Sequence, residues 1–185
     1  VSSTDKLVAY KILDVYYNST SNVFTYEFTS TFKAFLASST SYKNLTVEQY
    51  YALTSGDITS GSTRTQSTLD KLVSLYAAYV KTHSVTTSAT LTYQAGEGAT
   101  GAVVPAGAYL VIPKSTINVY AVMVGNVIPT ANGNEWSIND ATIKSKISSA
   151  SVTKSIGSIG HVDGNYSVGE EFSYFLVGTV PQYPT

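Results

Sequence analysis

Trp136-Ser-Ile-Asn-Asp-Ala-Thr-Ile-Lys-Ser-Lys-Ile-Ser-Ser-Ala-Ser-Val-Thr-Lys154 is the stretch whose reading divides the chain. Its first residues alternate, with Trp136, Ile138 and Asp140 on one side and Ser137, Asn139 and Ala141 on the other. That is the period-two pattern of a half-buried strand, and Trp136 is expected to be buried as its anchor. Two lysines follow, Lys144 and Lys146, and then Ser148-Ser-Ala-Ser151, a small polar run that reads as a linker. Val152-Thr-Lys-Ser-Ile156 opens a further strand. The pattern predicts a first domain over 1–146, a linker over 147–153 and the start of a second domain over 154–185. One short strand pair cannot bury a core, so the second domain is expected to be present only in its beginning.

Upstream, Leu7 to Tyr17 reads as a strand, with Tyr10, Ile12 and Asp14 on one face and Ala9, Lys11 and Leu13 on the other. Asn18-Ser-Thr-Ser-Asn22 is a turn, and Val23 to Phe28 alternates again, which predicts a hairpin. The period then changes. Thr46-Val-Glu-Gln49 has the form of a capping box ahead of a short helix through Tyr51 to Leu53. Leu69, Leu72, Val73, Tyr76, Tyr79 and Val80 recur at helical spacing, which predicts a helix from about Thr68 to His83 with Lys81 suited to its C-terminal end. Strands resume at Ala89 to Tyr93, Val104 to Val111 and Asn118 to Val124. The last is apolar on both faces and is expected to be central. Gly96 to Gly101 is read as a loop: no Lys-Ser/Thr follows it and no helix opens, so it is not a phosphate cradle. After the linker, a strand is expected over Glu171 to Val177. Alternation before and after a helical segment predicts a mainly β chain, an antiparallel Ig-like β-sandwich with one or two inserted helices.

Composition narrows the chemistry. Among 185 residues there is no cysteine, so no disulfide framework and no thiolate metal site can form. The net charge is −1 with 12% charged residues and no long basic run, which argues against a nucleic-acid partner. No run of apolar residues is long enough for a membrane span. No signal peptide stands at Val1, as expected of a mature or trimmed form. His83 and His161 lie far apart, without metal-ligand spacing. No Gly-x-Ser-x-Gly elbow is present and carboxylates are few and scattered, so no enzyme activity, cofactor or metal is expected. Tyrosine stands out at 15 residues, a composition suited to exposed sheets.

Taken in order, Ala9-Tyr-Lys-Ile12, Thr31-Phe-Lys-Ala-Phe35, Pro105-Ala-Gly-Ala-Tyr-Leu-Val111, the Trp136 strand, Lys146 and Val152-Thr-Lys154 resemble the backbone (major) pilins of Gram-positive bacteria that sortases assemble. Gly169-Glu170, then a strand ending in Val180-Pro181, resembles the second strand of the next pilin domain. The resemblance implies a pilin-type β-sandwich and a structural shaft subunit, extracellular and anchored to the cell wall. Its partners would be neighbouring pilin subunits and a class C sortase, which passes the C-terminal threonine of one subunit to a lysine of the next. The family's acceptor motif is Tyr-Pro-Lys; here Ile143-Lys-Ser-Lys146 stands in its place. Lys146 is the implied acceptor and Lys144 the alternative.

The family also carries internal Lys–Asn amide bonds formed beside a buried acid, where an apolar site brings the lysine and carboxyl pKa values together. By resemblance, Lys11 is the candidate nucleophile, Asn139 its partner and Glu27 the acid, while Lys154 is the corresponding lysine of the next domain. First domains without such a bond also occur in the family. A different class of function, an ancillary tip or basal pilin or an adhesin module binding carbohydrate or host matrix protein, is the alternative reading. An exposed aromatic platform flanked by polar groups would favour it.

Overall fold

Strand β1 (Lys6–Asn18) is apolar almost without interruption from Leu7 to Val15, and the sheet uses both of its edges. The computed structural model describes residues 6–55, 66–94, 99–114, 119–133, 135–143, 147–148, 151–161 and 164–179. The turn after β1 is closed by Asn18, whose Oδ1 accepts from the backbone amides of Thr20 and Ser21. It leads into β2 (Val23–Phe28), antiparallel to the outer half of β1 with Leu13 opposite Phe28 and Tyr17 opposite Phe24. Helices α1 (Ser30–Ser38), α2 (Val47–Ser55) and α3 (Gln66–Thr82) follow. The remaining elements are β3 (Ala89–Gln94), β4 (Ala99–Gly101), β5 (Gly107–Lys114), β6 (Val119–Tyr120), β7 (Met123–Val127), β8 (Pro129–Asn132), β9 (Glu135–Ile138), β10 (Ile147–Ser148), β11 (Ser151–Ile156) and β12 (Tyr174–Thr179).

The main sheet is antiparallel, in the order β4-β3-β1-β5-β7, with β2 joined to β1 on the edge opposite β5, further along the strand than β3. The protein is mainly β, as expected. It has three helices among the described residues, against the one or two expected. The extra one, α1, was hidden in a short segment: Phe32, Phe35 and Leu36 sit at helical spacing and are all buried, and Thr29 caps the helix by accepting from the Phe32 amide. The capping box forms as read. The Thr46 amide donates to Gln49 Oε1 at 3.0 Å, and the Gln49 amide donates to Thr46 Oγ1 at 3.2 Å.

The helices cover one face of the sheet. Val8, Tyr10, Ile12 and Leu13 of β1, with Ala108 and Leu110 of β5, meet Phe32, Phe35, Leu36, Tyr50, Leu72, Val73, Tyr76 and Val80 in one core. Phe32 stands at its centre, with ring contacts to Phe28, Phe35, Tyr50 and Tyr76. Leu7, Ala9, Tyr109, Val111 and Met123 form a smaller cluster on the opposite face, closed by Val104 and Ile143. Ile143 lies so close over Gly125 that a Cβ there would stand 2.6 Å from its Cδ1.

Several expectations are corrected. The strand expected over Asn118 to Val124 is split into β6 and β7, with Asn118 outside the described residues. β7 is the edge strand of the sheet and not a central one. Its apolarity on both faces has another cause: Met123 joins one cluster and Val124 the other. Ala99–Gly101, read as loop, pairs with β3 as β4, while residues 96–98 lie outside the described ones. Within the Ser-rich run read as a linker, Ile147–Ser148 pairs with β6. The last strand starts at Tyr174, later than expected, and among the described residues β11 and β12 pair only with each other.

Phe32→Ala is expected to cost about 3–5 kcal/mol, the range for emptying a buried aromatic site, read as a lower urea midpoint. The Tyr50 and Tyr76 hydroxyls are buried and have no hydrogen-bond partner among the described residues, and burial pushes both phenol pKa values well up. Tyr50→Phe and Tyr76→Phe are therefore expected to leave the same midpoint unchanged or to raise it, since each removes an unpaired polar atom without opening a cavity.

Candidate functional site

The chemistry-bearing part of β1 is set by a break in its register. Between Lys11 and Leu13 the pairing with β5 slips by one residue, so that Lys11 faces Tyr109 and Leu13 faces Ala108. Such a bulge shifts every later side chain to the other face. Ile12 and Leu13 both enter the helix-side core, and Asp14 comes to share the opposite face with Lys11. This corrects the expectation that Asp14 lies beside Tyr10 and Ile12. Thr29 holds the bulge: its amide donates to Ile12 O at 2.9 Å and its hydroxyl donates to Lys11 O at 3.1 Å.

Lys11 Nζ then lies 2.8 Å from Asp14 Oδ1, in a half-buried ion pair. The amine also stands 5.9 Å from the centre of the Tyr109 ring. Gly107, opposite Asp14, makes this possible, because a Cβ there would stand 2.5 Å from Lys11 Cε and would collide with Leu13 O. The Tyr109 hydroxyl donates to Pro105 O at 2.6 Å, and its pKa is raised by burial first and by the Asp14 charge second. Asp14, Gly107 and Tyr109 were not read as a group from the sequence. No local signal marked them out, because Leu7 to Leu13 is apolar at every position but Lys11, so that Ile12-Leu13 does not stand out from the run.

The residues named for an internal amide bond are not gathered. Lys11 pairs with Asp14, Glu27 pairs with Lys33 at 2.5 Å, and Asn139 is exposed just beyond β9. Lys144 and Lys146, the alternative sortase acceptors, lie outside the described residues. Lys154 is exposed in β11, opposite Leu176, with Nζ 4.0 Å over the Tyr174 ring. His83 stacks on Tyr79 at 4.0 Å, and His161 is exposed at the end of the turn after β11.

Trp136 is corrected as well. It was expected to be buried as the anchor of its strand; it sits instead in the separate β8–β9 hairpin and remains 38% exposed. With no third strand beside it among the described residues, that hairpin has no core of its own to bury the indole. Trp136 leans instead on the β1–β2 hairpin. Its ring meets Phe24 edge to face at 4.9 Å, and its Nε1 donates to Asn22 O at 3.2 Å. Phe24 in turn packs on Tyr17 at 4.8 Å, and the Tyr17 hydroxyl donates to Asn22 Oδ1 at 2.9 Å. The result is a surface strip, Tyr17–Phe24–Trp136, organised by Asn22 in the left-handed region at φ 52°. The sequence signal for half of it was the predicted hairpin, since Tyr17 and Phe24 flank its turn symmetrically.

No family model matches the chain, and no curated protein matches it. Among the described residues, no group of three His, Asp or Glu could hold a metal ion, and no helix is long and apolar enough to cross a membrane.

Two measurements check this geometry. Thr29→Ala removes both the helix cap and the hydroxyl that holds the bulge, and is expected to cost about 1–2 kcal/mol in chemical denaturation. An amide between Lys11 and Asn139 would lower the intact mass by one ammonia. With Lys11 held by Asp14 and Asn139 exposed, the unmodified mass is expected.

Proposed function

We propose that the chain belongs to a structural shaft subunit of a covalently polymerised Gram-positive pilus, a substrate of a class C sortase and not itself an enzyme. It is exported and anchored to the cell wall, and its partners are that sortase and neighbouring pilin subunits. The observation that carries the proposal is the tail. β11 and β12 form a ribbon by themselves, with Val152 73% and Leu176 70% exposed on one face and Phe175 and Val177 on the other. A ribbon apolar on both faces needs further layers on each side, as the opening of a second pilin domain does. Lys154 lies in its first strand, where the resemblance expects an amide-forming lysine.

A pilin-type β-sandwich is part of the same proposal. What supports it is the second apolar cluster on the face turned away from the helices, closed by Val104 and Ile143 from outside the sheet. The chemistry assigned to the junction is acyl transfer to a lysine amine. The amine must be reachable and must lose its proton to attack, and Lys146, with Lys144 as its rival, stands between the β9 strand and β11.

Polymerisation with the cognate sortase tests the assignment. Lys146→Ala is expected to abolish the ladder of covalent multimers, and Lys144→Ala to leave it intact. Normal ladders from both single variants would place the acceptor elsewhere.

A further inference from the structure

We infer that Asn132-Gly133, at the tip of the β8–β9 hairpin, is a site of spontaneous deamidation, and that its conversion releases Trp136 from the β1–β2 hairpin. Of the nine asparagines in the chain, this one alone is followed by glycine. Both residues are exposed. Gly133 lies in the left-handed region at φ 63°, and a Cβ built on it would have nothing within 4 Å. Its amide nitrogen is therefore open to solvent and to the Asn132 side chain, with no side chain of its own in the way. The ladder closes at the pair Asn132–Glu135, so the Gly133 amide is not tied into it. Asn18, Asn22 and Asn126, by comparison, have their side chains engaged in hydrogen bonds with Thr20, Tyr17 and Thr54.

The reaction needs only water and hydroxide. The Gly133 amide gives up its proton to hydroxide, and its nitrogen attacks Asn132 Cγ. The N–Cγ bond forms, the bond from Cγ to the side-chain nitrogen breaks, and ammonia leaves with a proton from water. Water then opens the resulting five-membered succinimide at either carbonyl. One opening gives aspartate, and the other gives isoaspartate, whose main chain runs through the former β-carbon.

The hairpin lets the attack happen and is damaged by it. Asn132–Glu135 is the terminal pair of a two-stranded ribbon, a place where pairing opens at little cost. What steadies the ribbon against the rest of the molecule is Trp136, through the Phe24 ring and Asn22 O. After conversion, a carboxylate at position 132 stands directly opposite Glu135, and like charges across a strand pair repel. Isoaspartate also adds one carbon to the main chain, which disturbs the register beside the Ala131–Trp136 pair. Docking of Trp136 and integrity of the Asn132 amide thus support each other, and the coupling runs both ways. The inference does not depend on the pilus reading or on Lys146.

The test is an ageing experiment on the full chain in mildly alkaline buffer at physiological temperature, with the urea-unfolded chain as the reference rate for this sequence. Peptide mapping and isoaspartate assay follow conversion at Asn132. The chain has a single tryptophan, so one indole N–H resonance in the NMR spectrum follows its docking. Conversion of the folded chain is expected at Asn132, with the indole resonance moving to its solvent-exposed position in step. Trp136→Ala is expected to speed conversion at least fivefold, and Asn132→Gln to keep the native indole resonance throughout. The inference is overturned by an Asn132 amide that stays intact in the folded chain while the unfolded chain converts. It is equally overturned by conversion that leaves the indole resonance unmoved, by a rate that Trp136→Ala does not raise, or by an indole shift that Asn132→Gln does not prevent.

Discussion

The slip in β1 between Lys11 and Leu13 is the constraint on which the rest of the arrangement depends. A regular strand would send Ile12 and Leu13 to opposite faces and split the apolar run. With the slip, both enter the core beneath the helices and the two charged residues are left together on the other side. The distortion exposes backbone carbonyls that a buried strand must satisfy. Thr29 satisfies two of them while also capping α1, so the bend in the sheet and the start of the first helix are one hydrogen-bonded unit. Gly107 completes it by letting β5 approach where any side chain would collide.

Stability in this chain rests on ring packing. It has no cysteine. The pair Lys33–Glu27 is exposed on both partners, and such pairs contribute little in water. Phe28, Phe32, Phe35, Tyr50, Tyr76 and Tyr79 instead form a connected aromatic body between sheet and helices. The two hydroxyls it buries without partners are the cost of using tyrosine where phenylalanine would fit. Burial on the other face is thinner, depending on Ile143 and Val104 reaching in from segments outside the sheet.

Features with a strictly local cause were legible in the sequence. The β1–β2 hairpin announced itself through its turn residues, α3 through its stripe, and α2 through the Thr46–Gln49 box, and each is where the spacing put it within a few residues. What failed depended on partners distant in sequence. Alternation around Trp136 described a real strand but could not say which layer would cover it, and the layer proved to be the tip of a hairpin formed far upstream. The edge position of β7 was equally hidden, because burial on both faces does not require a neighbour on both sides. The Lys11–Asp14 pair was missed for one reason: a period of two has no place for an extra residue, and the residues that stabilise the bulge, Thr29 and Gly107, lie in other elements.

The same topology has a consequence for how the chain reaches its native state. β1 is the first element of the main sheet, yet along Lys6–Asp14 one edge of it is closed by β5, with Lys6 opposite Lys114 and Asp14 opposite Gly107. The hairpin and the helices between them can form early from contacts close in sequence, but the sheet waits for that distant strand. Non-local closure of this kind slows folding, and until it happens a long apolar strand presents an open edge to other chains. For this molecule the hazard is greatest in the interval after the helices have formed and before β5 arrives.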